Sequence, residues 1–187
     1  PIKRIDVPSI EDMLRVDTRV MEAQVYVDAH QKLIIDVEQR RPIARVINSR
    51  NDQFYMDRNG RYIQISDHRA VRVPVVTGYV ESLKAGESLA SKPRLKEALS
   101  ILHLIRKDEF LTALIEQIHV ESTHRIILIP KVGDERIILD HLDHLDHKLK
   151  NLKRFYKELA RSNSWKKYKE IDISYRQQVA AREFVTP

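Results

Sequence analysis

Leu142, Leu145, Leu149, Leu152, Tyr156 and Leu159 follow one another at intervals of 3, 4, 3, 4 and 3 residues. At 3.6 residues per turn this spacing lays all six side chains along one stripe of an α-helix. Such a stripe must be buried against something apolar. Three heptads is short for a free-standing coiled coil, so the expected partner is a sheet of the same chain. The other apolar segments supply it. Ala23, Val25 and Val27 alternate with Gln24 and Tyr26, and Leu33, Ile35 and Val37 alternate with Ile34 and Asp36. A period of two is the mark of a strand. The longest apolar run, Ile126-Ile127-Leu128-Ile129, has strand length and falls far short of the roughly 18 residues of a membrane helix. One amphipathic helix among many short strands predicts an α+β fold.

Read in order, Pro8-Ser9-Ile10-Glu11-Asp12 predicts a helix to about Val16, capped by Ser9, with Ile10, Met13 and Leu14 on one face. Val20 to Asp28 and Leu33 to Glu38 predict a hairpin with one buried face. About 40 residues is too little for an independent core, and Pro1 rather than Met stands first, so preceding sequence is expected to complete this small domain. Arg41-Pro42 marks the boundary, dividing the chain into residues 1–42 and 43–187. Beyond it Ile43 to Ile47 reads as a strand. Phe54 to Asp57 and Tyr62 to Ile65 flank Arg58-Asn59-Gly60-Arg61, an Asn-Gly hairpin signal in which both turn residues tolerate positive φ. Val71 to Val76, interrupted by Pro74 and closed by Gly78, predicts an edge strand or an irregular crossing. Helices are expected over Leu95 to Ile105 and Glu109 to Ile115, and strands over Gln117 to Glu121, Arg125 to Pro130 and Arg136 to Leu139. After the long helix, Glu170 to Tyr175 and Gln178 to Phe184 read as two strands or one long bent one.

The net charge of +6 is concentrated. Lys148, Lys150, Lys153, Arg154, Lys157, Arg161, Lys166, Lys167 and Lys169 are opposed only by Glu158, a net of +8 in residues 148–169. The favoured reading is a solvated helix face. The alternative is a nucleic-acid-binding protein using this basic helix, with Phe155, Tyr156, Trp165 and Tyr168 as stacking groups, or a surface that meets phosphate or lipid headgroups. The chain has no cysteine, which excludes disulfides, thiol catalysis, thiolate zinc sites and iron–sulfur clusters. His141, His144 and His147 alternate with Asp140, Asp143 and Asp146, but a three-residue step turns a helix by roughly 300° and spreads the imidazoles apart. The Glu of a zincin motif is missing too, so no metal site is assigned. There is no nucleophile elbow, GxGxxG or P-loop, and Gly60, Gly78, Gly86 and Gly133 all stand at turns. No catalytic residue and no cofactor is expected.

Val37 to Ala44, Phe54 to Gly60, Val73-Pro74-Val75-Val76-Thr77-Gly78, Ile126 to Leu139, Leu149 to Tyr156, and Tyr168-Lys169-Glu170-Ile171-Asp172-Ile173-Ser174-Tyr175 with Gln178-Val179 follow one another along the chain. Taken in this order they resemble the FtsQ/DivIB cell-division family in a Bacteroidetes-like form. Ser174 stands where the family often has Arg. The resemblance implies a partial POTRA domain, a helix plus a β-hairpin, in residues 1–42, followed by a larger β domain with a mostly antiparallel sheet and packed helices. It implies a non-enzymatic divisome scaffold, the periplasmic part of a single-pass inner-membrane protein whose N-terminal anchor helix lies outside this chain. It implies partners of the FtsB and FtsL type, control of septal wall synthesis, no nucleic acid, and a monomer or weak dimer. By position the family's C-terminal edge strand is Gln178, Val179, Ala180, Ala181, Arg182, Glu183 and Phe184. That strand would accept a partner strand, with Tyr175 and Arg182 contributing side chains.

Overall fold

The computed structural model describes residues 5–66, 70–162 and 167–184. Among these residues there are two sheets: a hairpin, and a nine-stranded mixed sheet of order β11-β10-β9-β8-β7-β6-β3-β4-β5.

The small lobe is helix α1 (Val7–Val16) followed by strands β1 (Val20–Val27) and β2 (Leu33–Gln39), paired antiparallel. The cap of α1 is Asp6, whose carboxylate accepts from the Ser9 amide, so the predicted cap Ser9 lies inside the helix. Pro8 at the second helical position explains the shift, since its missing N–H costs nothing there. Glu11 accepts from the Val25 amide, so α1 closes the outer edge of β1. The expected buried face is only half made. Ala23 and Val25 are buried, but their partners Val37 and Ile35 are 43% and 46% exposed, Leu33 opposite Val27 is 38% exposed, and Met13 is 73% exposed. Ten residues of helix cover one strand and leave the other bare.

The large sheet holds β3 (Pro42–Asn48), β4 (Gln53–Asp57), β5 (Tyr62–Ile63), β6 (Val75–Gly78), β7 (Ile115–Val120), β8 (Ile126–Pro130), β9 (Arg136–Leu139), β10 (Tyr168–Asp172) and β11 (Ala180–Glu183). Of its eight pairings, β3–β4, β4–β5, β7–β8, β8–β9 and β10–β11 are antiparallel and β3–β6, β6–β7 and β9–β10 are parallel. Strand β6 lies at the centre, not at an edge. Pro74 stops short of the ladder and offers only its carbonyl, which accepts from the Arg45 amide, so its missing N–H does not matter. The β4–β5 connection is a hairpin, but Gly60 alone has positive φ (+73°). Asp57 replaces the tight Asn-Gly turn by accepting from the amides of Asn59 and Arg61, both at 2.8 Å.

Helices α2 (Pro93–Ile105), α3 (Glu109–Leu114) and α4 (Leu145–Arg161) share one core with this sheet. Period-two strands in register stack their buried positions into rows. Phe54, Val46, Val76, Ile118, Leu128, Ile137 and Ile171 are successive partners across seven strands, and none is more than 1% exposed. Against the same core lie Leu145, Leu149, Leu152, Tyr156 and Leu159 of α4. Leu142 packs there from outside the helix, which starts three residues later than the seam, after His144 in the left-handed region (φ +49°).

Candidate functional site

Two features bear on the functions expected from the sequence: the basic helix and the β11 end of the large sheet.

Most of the basic side chains form the solvated face that the composition predicts, and Lys148 and Lys153 depart from it. Lys148 is fully buried, and its ammonium donates to the His141 carbonyl and the Asp143 carboxylate, each at 2.9 Å. The Lys148 bond is the main reason the Asp143 carboxyl is held below its ordinary range. Lys153 donates to Asp108 at 2.5 Å and lies over the Phe110 ring. Lys150, Arg154 and Lys157 stay exposed, as does Arg161 beside Glu158. The expected stacking groups face inward: Tyr156 is in the core, and Phe155 packs on Tyr168 with ring centroids 5.5 Å apart. Trp165 and Lys166 lie outside the described residues. Among the described residues the helix presents charge, and Phe155 and Tyr156 pack against the core. In the Asp/His segment Asp140 accepts from Arg125, beside the β8–β9 pair, while Asp143 and the His141 carbonyl hold Lys148 of α4. No group of three or more ligating side chains placed to hold a metal ion occurs among the described residues.

The open end is β11. Among the described residues it is the outermost strand on its side and pairs with β10 alone, and all four of its residues are exposed. It is shorter than the predicted Gln178 to Phe184, because Val179 turns into the core and Gln178 precedes the ladder. Tyr175, 54% exposed, stands in the bend between β10 and β11, which are two strands rather than one. The structure thus brings Ala180, Ala181, Arg182, Glu183 and Phe184 into one edge. It leaves Tyr175 and Gln178 beside that edge and assigns Val179 to packing.

Backbone direction follows from one hydrogen bond. The Phe184 amide donates to the Lys167 carbonyl at 3.2 Å, toward β10. In an antiparallel strand successive residues turn their polar groups to opposite sides. The bulge of this pair lies on β10, between Tyr168 and Glu170, and β11 keeps its alternation. Arg182 and Ala180 therefore face inward with Phe184, while the N–H and C=O of Ala181 and Glu183 face the open side. Ala181 is also the register partner of Ile171, which makes it the next position of the buried row that crosses the sheet. The row ends there in a small, exposed side chain.

Two residues outside the expected set hold this edge in place. Lys167 pairs with Glu183 at 2.9 Å, an attraction that raises the Lys167 pKa, and Glu170 lies 4.0 Å from Arg182. The alternating signs of Lys167, Glu170, Arg182 and Glu183 were the available signal, and it acquires meaning only with the β10–β11 register.

No helix among the described residues is long and apolar enough to cross a membrane. A family model described as FtsQ/DivIB, C-terminal related, matches residues 41–182. Over 144 residues the chain is 29% identical to the cell division protein FtsQ of Geotalea daltonii, covering 76% of this chain and 51% of that protein. The chain thus spans about half the length of this curated relative. The matched region runs from the start of β3 into the open edge strand, and the chain belongs to the FtsQ/DivIB C-terminal related family.

Proposed function

We propose that this chain is the extracytoplasmic part of a membrane-anchored division protein that works without catalysis, as a scaffold, and that β11 is its docking edge. Residues 1–42 are read as part of a POTRA domain and residues 43–187 as the β domain. The partner is a division protein of the FtsB or FtsL type that adds a strand to β11. Through that contact the scaffold takes part in control of septal wall synthesis. The observation that carries the reading is the end of the sheet: outward amides at Ala181 and Glu183, and a buried apolar row that stops at Ala181. Strand addition supplies main-chain hydrogen bonds, and it lets a partner's apolar side chain continue the row. Family membership and the FtsQ relative favour division proteins as the partner class.

The test replaces Ala181 with Pro. Pro is tolerated on an edge strand where the N–H faces out, so Ala181→Pro leaves the ladder to β10 intact and removes one outward donor. Titration of FtsB- and FtsL-type segments from the same organism should lose affinity at least tenfold, the effect of about 1.4 kcal/mol. Unchanged affinity in a variant that keeps the native spectrum would overturn the reading.

A further inference from the structure

Among the described residues the large buried cluster does not extend into the small lobe: all of its members lie at or beyond Ile43, and the buried Ala23 and Val25 are not part of it. Several hydrogen bonds join the lobes. The Arg40 guanidinium donates from Nε to the Thr18 carbonyl (3.3 Å) and from Nη2 to the Val20 carbonyl (3.1 Å), both in the small lobe. From Nη1 it donates to Asp57 Oδ2 (2.9 Å), on the large sheet. The Gln64 amide adds one bond to the Thr18 hydroxyl at 2.9 Å. Arg40 and Asp57 are 20% and 4% exposed at their side chains, so water screens this pair weakly.

Asp57 has two separate tasks. Its Oδ1 holds the β4–β5 turn through the amides of Asn59 and Arg61, and its Oδ2 holds Arg40. Beside the joint is a groove of about 710 Å³ lined by Val37, Glu38, Arg41, Tyr55 and Ile63. The groove leaves the small lobe space to tilt beside the joint.

We infer that Arg40 and Asp57 form a latch that sets the angle between the small lobe and the large sheet, and that releasing this single ion pair frees the lobe to swing. A planar guanidinium with donors in a fixed fork can bridge two bodies in one orientation, which a point-charge ammonium cannot do. The inference does not depend on the docking role of β11, because it concerns only the joint.

The absence of cysteine makes the test direct. Cysteines introduced at the exposed positions Gln24 and Lys107 carry spin labels, one on each lobe. Distances are then measured by double electron–electron resonance. The parent should give one narrow distribution. Arg40→Ala, Arg40→Lys and Asp57→Asn should each broaden it and add a second population. Asp57→Asn keeps a turn-accepting oxygen while losing the charge, and Arg40→Ala leaves the turn untouched. If one of the three fails to fold, the others still decide. Thermal unfolding of the large sheet should change little in Arg40→Ala. Distributions that overlay the parent in Arg40→Ala and Asp57→Asn would overturn the latch.

Discussion

Tyr156 and Glu135 are the most exacting polar contact in the core. Tyr156 is fully buried on α4, Glu135 is 3% exposed, and the phenol donates to Glu135 Oε1 at 2.5 Å. Burial first, and the Glu135 hydrogen bond second, push the phenol far above its ordinary pKa, so it remains a donor. Glu135 Oε2 has no hydrogen-bond partner among the described residues. The chain wraps it closely: at Gly133, where φ is +102°, a Cβ would collide with Oε2. Tyr156→Phe keeps the ring and its contacts with Phe110 and Phe155 and leaves no cavity. It removes the phenol donor and strands a second buried oxygen. Losing a hydrogen bond to a charged group costs about 1.5–3 kcal/mol, which in a chain of this size lowers Tm by roughly 5–10 °C. Urea unfolding and calorimetry measure it. The cycle completed with Glu135→Leu should show coupling, the double variant losing less than the sum of the singles. A loss below about 0.5 kcal/mol for Tyr156→Phe, the range of ordinary surface changes, would mean that Glu135 does not depend on this phenol.

Three more outcomes are expected. Asp108→Ala removes the carboxylate that caps α3 at Phe110 and Leu111 and holds Lys153, and denaturant unfolding should register a loss of about 1–2 kcal/mol. Gly78→Ala drives a Cβ into the Val120 carbonyl oxygen at φ +92° in the central strand. Its cost should exceed the roughly 1 kcal/mol of the φ alone, read as a poorly soluble product or a large fall in Tm; a parent-like Tm would contradict the pairing of β6 with β7. Asp17, bonded by the Arg19 side chain and then its amide, is held down to about 2 from 3.8. A depressed carboxyl stabilises the fold above its unfolded value and loses that contribution as pH falls toward about 2. An NMR titration of the Asp17 carboxyl should move back up in Arg19→Ala.

Legibility in the sequence followed locality. The α4 seam, the alternation of β1 and β2 and the split of the C-terminal strands depend on near neighbours, and the first two were readable as spacing. The position of β6 was not. Pro74 looks like an edge signal until the ladder is seen to begin at Val75. Lys148 looks like any surface cation, yet the left-handed turn at His144 brings Asp143 and the His141 carbonyl over it. The half-bare face of β2 reflects what covers it, which no periodicity records. The edge was located by position in the resemblance, but which of its amides face outward depends on the bulge in β10 and the Phe184 bond.

That alternation also supplies the most direct test of the docking edge. Amide hydrogen exchange by NMR, with and without the FtsB-type segment, reads each residue of β11 separately. Strand addition predicts that Ala181 and Glu183 gain protection on binding, while Arg182 and Phe184, already turned toward β10, change little. Binding that leaves the Ala181 and Glu183 amides as exchangeable as before, or that protects β2 instead, would contradict β11 as the docking edge.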